Sequence, residues 1–409
     1  MTDAAPTDRF PWRQVVVAAF LPTVLFSIGE GAIIPIIPVV ASSLGASLAV
    51  AGLISAMIVV GELLGDIPAG ALVARIGERT AMIGASVLSI VGVLVSVLAP
   101  NPWLLGLGIL IIGVATAVFA LARHAFMTSF VPPAYRARAL STLGGTFRLG
   151  YLIGPFITAA VIQATGSAAN AFWIHLVACL AAVVVLVVLH DPADVVTRRP
   201  GPAARQAAAA ERGLFRTIHA NRRVLVTLGS GSALVAALRA SRAVILPLWA
   251  VSIGVDEVTT SVIIGAAAAL DFALFYAGGW IMDRFGRLWT AVPSMIGLGV
   301  SHLLLAFSHE LPDAVVWFAM VAGLLSLSNG IGAGILMTLG ADLADPAHPA
   351  PFLGAWRFTN DSGAAVAPLL IAGVTAAVSL PVAAGVMGVL GLLGAVQLRI
   401  FVPRYSTRR

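Results

Sequence analysis

The sequence predicts an all-α polytopic membrane protein, with twelve transmembrane helices in two pseudo-symmetric six-helix bundles. Three observations carry this. Of 409 residues, 59% are hydrophobic and 10% charged, with mean hydropathy +1.01; a domain folded in water cannot hide that much apolar surface. The apolar residues fall into twelve runs, each near the ~20 residues that cross a bilayer as helix. One fragment also occurs twice. Pro38-Val39-Val40-Ala41-Ser42-Ser43-Leu44-Gly45 reappears as Pro247-Leu248-Trp249-Ala250-Val251-Ser252-Ile253-Gly254, an offset of 209 residues. The same offset carries Gly70-x-x-x-Ala74-Arg75-Ile76-Gly77 onto Gly279-x-x-x-Asp283-Arg284-Phe285-Gly286. Two unrelated patterns at one offset indicate a duplicated membrane unit, a common plan among secondary transporters.

In chain order, Met1 to Arg13 has neither a long apolar run nor a small-residue cleavage site, so the first helix is expected to be retained. The runs lie at 14–40, 48–73, 80–99, 103–130, 138–164 and 168–190, then at 222–250, 258–282, 288–308, 314–340, 352–377 and 380–402. This gives an N-terminal bundle over 1–190, a linker over 191–221 and a C-terminal bundle over 222–409. The linker is rich in Arg, Ala and Pro and is expected to lie in the cytoplasm, in part as an amphipathic surface helix. The single cysteine, Cys179, sits in an apolar run and rules out a disulfide framework.

The formal charge of +6 does not require nucleic acid, because its placement follows the membrane. The chain has no lysine, so its 24 basic residues are all arginines. They cluster in the N-terminal segment, in the linker, after alternate spans and at the C-terminus, whereas the opposite loops hold Asp256, Glu257, Glu310 and Asp313. That bias places both termini in the cytoplasm of a multi-pass plasma (inner) membrane protein, and the composition suggests a GC-rich bacterium.

Glycine and proline within the spans are tolerable where neighbouring helices satisfy the backbone and small residues allow close approach. Gly150-x-x-x-Gly154-Pro155 in span 5 joins a packing face to a kink, and span 11 repeats it as Gly363-x-x-x-Ala367-Pro368. Packing alone explains most such motifs; recurrence in both halves adds a hinge or seal reading.

Gly279-Trp280-Ile281-Met282-Asp283-Arg284-Phe285-Gly286-Arg287 resembles the G-x-x-x-D-[RK]-x-G-[RK] signature of the major facilitator superfamily. The copy after span 2 keeps Gly70, Arg75 and Gly77 but has Ala74 and Glu78 where an acid and a base are usual. Gly150, Gly154 and Pro155 are similar to the core of the drug-proton antiporter signature, without its trailing glycines. The resemblance implies gating roles for Arg75, Gly77, Asp283, Arg284, Gly286 and Arg287. It also implies that Asp283 faces the positive end of helix 5 when the cytoplasmic side is closed. With Ala74 in the first copy, Asp66 is expected to substitute, paired with Arg357.

Ten charges lie within the spans, and each is costly there unless paired or hydrated. Glu30 and Arg239 occupy equivalent places, as do Glu62 and Asp271. Arg242, Asp66, Arg123, Arg148, Arg357 and Asp361 complete five arginines and five carboxylates, with His124 beside Arg123. A carboxylate is held ionised by a neighbouring arginine and takes a proton when that arginine leaves. Glu30, in a Gly29-Glu30-Gly31 setting, ranks first for proton coupling, ahead of Glu62 and Asp271. Asp66 and Asp361 read as structural groups near an inner gate. Arg123, Arg148, Arg239 and Arg242 are candidates for an anionic substrate group or for charge pairing. Asn329, Trp249, Phe119, Phe126 and Trp356 are candidate cavity-lining groups, and packing explains each at least as well. His175 and His302 read as polar spots on peripheral helices.

No Walker sequence, metal-ligand spacing or nucleophile set appears, so neither a cofactor nor catalysis is expected. The preferred reading is a monomeric secondary transporter, exporting a small organic or drug-like compound in exchange for protons across the lipid bilayer. Uptake or exchange of an organic anion is one alternative, and a non-transporting sensor or interaction protein is another.

Overall fold

In the computed structural model, residues 19–131, 133–188, 214–344 and 349–405 are described, and every regular element among them is helical. The first six helices are α1 (Leu21–Ser43), α2 (Leu48–Ile76), α3 (Glu78–Val97), α4 (Pro102–Phe130), α5 (Pro133–Thr165) and α6 (Ala171–Val188). The second six are α7 (Arg222–Ser252), α8 (Glu257–Phe285), α9 (Leu288–Ser308), α10 (Ala314–Leu343), α11 (Pro349–Ala377) and α12 (Leu380–Tyr405). Eleven are long and apolar enough to cross a membrane. The remaining one, α11, is diluted by Arg357, Asn360 and Asp361. The expected surface helix of the linker falls largely outside the described residues; what is described there is the short helix Leu214–Ala220.

Local chemistry sets the boundaries, and it repeats at the 209-residue offset. Gly45 and Gly254 both take positive φ, +88° and +71°, to leave α1 and α7, a conformation open to glycine without a Cβ clash. Ser47 then caps α2 by accepting from the Val50 amide at 3.3 Å, and Asp256 caps α8 by accepting from the Thr259 amide at 2.9 Å. Gly77 and Gly286 end α2 and α8 at φ +83° and +95°. Two long runs are less regular than the sequence suggests. Pro35 and Pro38 remove backbone donors, and α1 tightens to a 3-10 turn over Ile34–Ile36. Helix α10 breaks between Ile331 and Ile335, where Gly334 adopts φ +81°.

Within the first six helices α4 packs on α2 and α3, and α1 on α5 and α6; within the second six α9 packs on α12, α7 on α11 and α8 on α10. Glycines set these distances. A Cβ at Gly61 would lie 2.3 Å from Leu110 O, and one at Gly113 would lie 2.1 Å from Ile58 O, so α2 and α4 touch through backbone. The Gly150 and Gly154 face does the same for α5 on α1: their Cβ positions fall 2.5 Å from Ser27 Cβ and 2.5 Å from Ala32 N. Gly363 repeats it for α11 on α7, 2.3 Å from Ala233 O.

The two sets of six meet along α5 and α8, along α2 and α11, and where the end of α1 and the start of α2 reach α7. This last contact seals one end of the molecule with Ile33, Ile36, Leu248 and Trp249, all buried. At the opposite end, where Arg75, Arg284 and Arg287 lie, the side chains between the sets are more open: Arg357 is 49% exposed and Asp361 35%.

Candidate functional site

Helices α1, α2, α4, α5 and α11 converge on a pocket of about 150 Å³. Its polar wall is Glu30, Glu62, Asp66, Arg123, Arg357 and Asp361, and its apolar wall includes the stacked pair Phe26 and Phe119, with ring centroids 4.3 Å apart. Organic ligands ordinarily occupy roughly 300–1,000 Å³, so this pocket is a narrowed one, sized for a few waters.

Glu30 is fully buried. Its Oε1 accepts a 2.6 Å hydrogen bond from the Thr116 hydroxyl, while Oε2 is buried without a hydrogen-bond partner. Tyr151 and the Arg123 guanidinium stand near the carboxylate; that guanidinium also lies 4.8 Å from the Phe147 ring centroid. On the far wall Arg357 bridges Asp66 on α2 and Asp361 on its own helix, each at 3.2 Å. Glu62, one turn from Asp66, makes no hydrogen bond or ion pair among the described residues, although Arg357 and Arg123 stand in its electrostatic reach.

A second cluster lies where α5, α7, α8 and α10 meet. Arg148 on α5 forms an ion pair with Asp271 Oδ2 on α8 and places its guanidinium 4.8 Å from the Phe275 centroid. Asn329 on α10 donates to Asp271 Oδ1 at 2.7 Å and accepts from Arg239 Nε at 2.7 Å. Arg239 also donates to the Asn329 carbonyl at 3.4 Å. Arg242 donates to Ser326 Oγ at 3.3 Å, and its Nε is buried without a partner.

The two clusters are related by the duplication. Arg148 and Arg357 are 209 positions apart, as are Glu62 and Asp271, and Asp66 and Phe275. Each arginine crosses from one set of helices to the other. Arg148 engages the acid at the first of the two helix positions; Arg357 engages the acid one turn on and leaves Glu62 free. Charge is segregated accordingly. With every group ionised, the pocket sets four carboxylates against two arginines, a formal −2. The second cluster sets three arginines against one carboxylate, a formal +2.

The structure places the remaining gate candidates elsewhere. Asp283 does not reach α5: its carboxylate is 83% exposed, 3.9 Å from Arg287 just beyond the Gly286 cap of α8. Arg287 instead holds Asp342, beyond the break in α10, at 2.9 Å. The motif's acid lies exposed at the open end. Arg284 lies 5.7 Å from the Trp280 ring centroid, and Arg75 is exposed. Gly77 and Gly286 serve as helix caps, and Gly150, Gly154 and Pro155 belong to the α1–α5 contact inside one set. Several aromatic candidates are corrected. Trp249 is wholly buried in the seal, 5.1 Å from the His309 ring. Phe126 stacks on Phe130, and Trp356 donates to Leu336 O at 2.8 Å between α11 and α10. The two histidines are buried polar spots: His175 bonds Ser89 at 2.7 Å, and His302 bonds Ser241 at 2.8 Å. Thr116 and Asp342 escaped sequence reasoning. A threonine in an apolar run reads as packing, and no periodicity links Asp342 to Arg287.

The profile described as Major Facilitator Superfamily matches residues 19–348 and 228–409. No curated protein sequence matches. Solved structures share the architecture at low identity. A peptide transporter, POT, in complex with sulfate superposes with TM-score 0.77 at 13% identity, over 96% of this chain and 95% of that one. The inward-open conformation of the xylose transporter XylE from E. coli gives 0.73 at 15% identity, over 96% of each chain.

Proposed function

This chain belongs to the Major Facilitator Superfamily, and from that premise we propose that it is a proton-coupled exporter of a small organic compound, with Glu30 as the proton carrier. A secondary transporter of this fold works on a small-molecule substrate by alternating access, with the two sets of helices rocking about the crevice between them. The observation that carries the finer reading is the state of Glu30. It is fully buried, has one oxygen satisfied by a neutral hydroxyl and leaves the other without a hydrogen bond, with the Tyr151 hydroxyl nearby. A buried polar atom without a partner is costly. A proton at Oε2 removes the charge, and Arg123 approaching from α4 would expel it. The neighbouring free carboxylate of Glu62 gives a route toward the open end through Asp66 and Asp361.

The test uses the reconstituted protein and a pH-sensitive dye trapped in the vesicles. Compounds that raise the wild-type unfolding temperature are applied one at a time. The expected result is compound-dependent proton movement in the wild type. Glu30→Gln, which keeps the shape and the Thr116 contact, should still bind the compounds but move no protons. Proton movement at the wild-type rate in that variant would refute the assignment of Glu30.

A further inference from the structure

We infer that the Arg148, Arg239 and Arg242 cluster is an anion subsite, and that the transported compound carries an acidic group which docks there. This deepens the proposed function and rests on its reading of the crevice as the transport path.

The argument is one of charge balance. Five arginines and five carboxylates balance overall, but the −2 and +2 surpluses are not in the same place. Protons can discharge the acidic pocket: neutral Glu30 and Glu62 would bring it to zero. They cannot discharge the other cluster. An arginine side chain does not give up its proton in a protein, so a surplus of guanidinium at mid-bilayer needs an anion or a large cost is left standing. Asp271 is the single carboxylate of the cluster: it pairs with Arg148, takes a hydrogen bond from Asn329 and is the one opposite charge that Arg242 and Arg239 share. Arg239 and Arg242 are met by neutral oxygens of Asn329 and Ser326. Arg242 keeps a buried Nε with no acceptor at all. Both arginines remain partly accessible, as does the Arg148 side chain at 19%, so an anion can reach them. The planar guanidinium fork suits a carboxylate. A cargo with a carboxylate on this side and a basic group in the acidic pocket would halve the surplus of each cluster at once.

The same chemistry could be met by a carboxylate on the cargo or by a free halide, and the test separates them. Unfolding temperature is measured for the full chain in nanodiscs at fixed ionic strength, against chloride, bromide, and acetate or butyrate. Saturable stabilisation is expected, with the carboxylates half-saturating at lower concentration than the halides. Equal or tighter halide saturation would overturn the cargo-carboxylate part and leave a free inorganic anion as the occupant. Arg242→Gln and Arg239→Gln should each raise the half-saturating concentration at least tenfold. Arg399→Gln, on the exposed end of α12, should leave it unchanged and controls for general salt effects. Asp271→Asn raises the surplus to three arginines, so it should shift half-saturation the opposite way, which keeps the proposal testable if an arginine variant fails to fold. Absence of saturation by any of these anions, or an equal response in Arg399→Gln, would overturn the subsite. Because Glu30→Gln proton movement is read separately, a failed subsite with intact proton coupling leaves the proposed function standing.

Discussion

The two arginine bridges between the helix sets should differ in strength by an amount that follows from their burial. The Arg148–Asp271 pair is 19% and 10% exposed, and its carboxylate takes a further hydrogen bond from Asn329. Removing Asp271 strands the Arg148 guanidinium, and breaking a buried pair in this way costs about 3–5 kcal/mol. The Arg357–Asp66 pair is 49% and 24% exposed, and Arg357 retains Asp361 when Asp66 is lost. Solvent-exposed pairs of this kind couple by about 0.2–1 kcal/mol. In double-mutant cycles on unfolding in detergent, Arg148→Gln with Asp271→Asn should therefore couple by at least about 1.5 kcal/mol, and Arg357→Gln with Asp66→Asn by less than about 1 kcal/mol. The same cycles read on conformation should agree. The native cysteine, Cys179, is buried, so a reporter thiol introduced in a Cys179→Ser background reports crevice opening alone. Loss of the stronger bridge should change its labelling rate more than tenfold, since about 1.4 kcal/mol is a factor of ten. Equal coupling in the two cycles, or a stronger coupling at Arg357, would refute the argument from burial.

Outcomes at three further sites follow from the geometry. Gly154→Ala puts a methyl 2.5 Å from Ala32 N and Ile28 O, which are backbone and cannot yield. It should prevent α5 from seating on α1 and lower the yield of folded protein sharply. Gly84→Ala meets nothing within 4 Å and should hold or raise the unfolding temperature, because alanine is favoured over glycine in a helix by about 1 kcal/mol. Asp256 caps α8 outside the membrane, and its hydrogen bonds from the Thr259 and Val258 amides hold its carboxyl below the usual range. A depressed folded value means the cap's contribution is complete above about pH 4, the unfolded value, and fades as pH falls through the folded value. Asp256→Asn should remove that pH dependence while keeping the cap, and Asp256→Ala should cost about 0.5–2 kcal/mol at neutral pH.

Much of this arrangement is legible in the sequence for definite reasons. A bilayer demands about 20 apolar residues per crossing, so the twelve runs fall where helices form, within a few residues. The 209-residue offset finds pairs of caps as well as pairs of charges, because Gly45 and Gly254 answer the same backbone need. What the sequence hides is contact across distance. Arg148 and Asp271 are each visible as intramembrane charges, yet nothing in their spacing says that they touch or that Asn329 lies between them. Asp283 shows the opposite failure: its motif implies a contact with helix 5 that this structure does not contain, and the residue stands exposed. Glu30 was visible as an expensive group, but that only one of its oxygens is matched depends on Thr116, 86 positions away.

The offset of one turn between the two bridges has a mechanical consequence. Equivalent arginines hold at different depths, about 5.4 Å apart along their partner helices. A rigid tilt of one set of helices therefore cannot strain both to the same extent at the same angle. The shallower, wetter fastening at Arg357 should yield first and the drier one at Arg148 last. A molecule built from two copies of one unit thereby acquires an order of release, with a leading edge and a trailing edge, that perfect symmetry would have denied it.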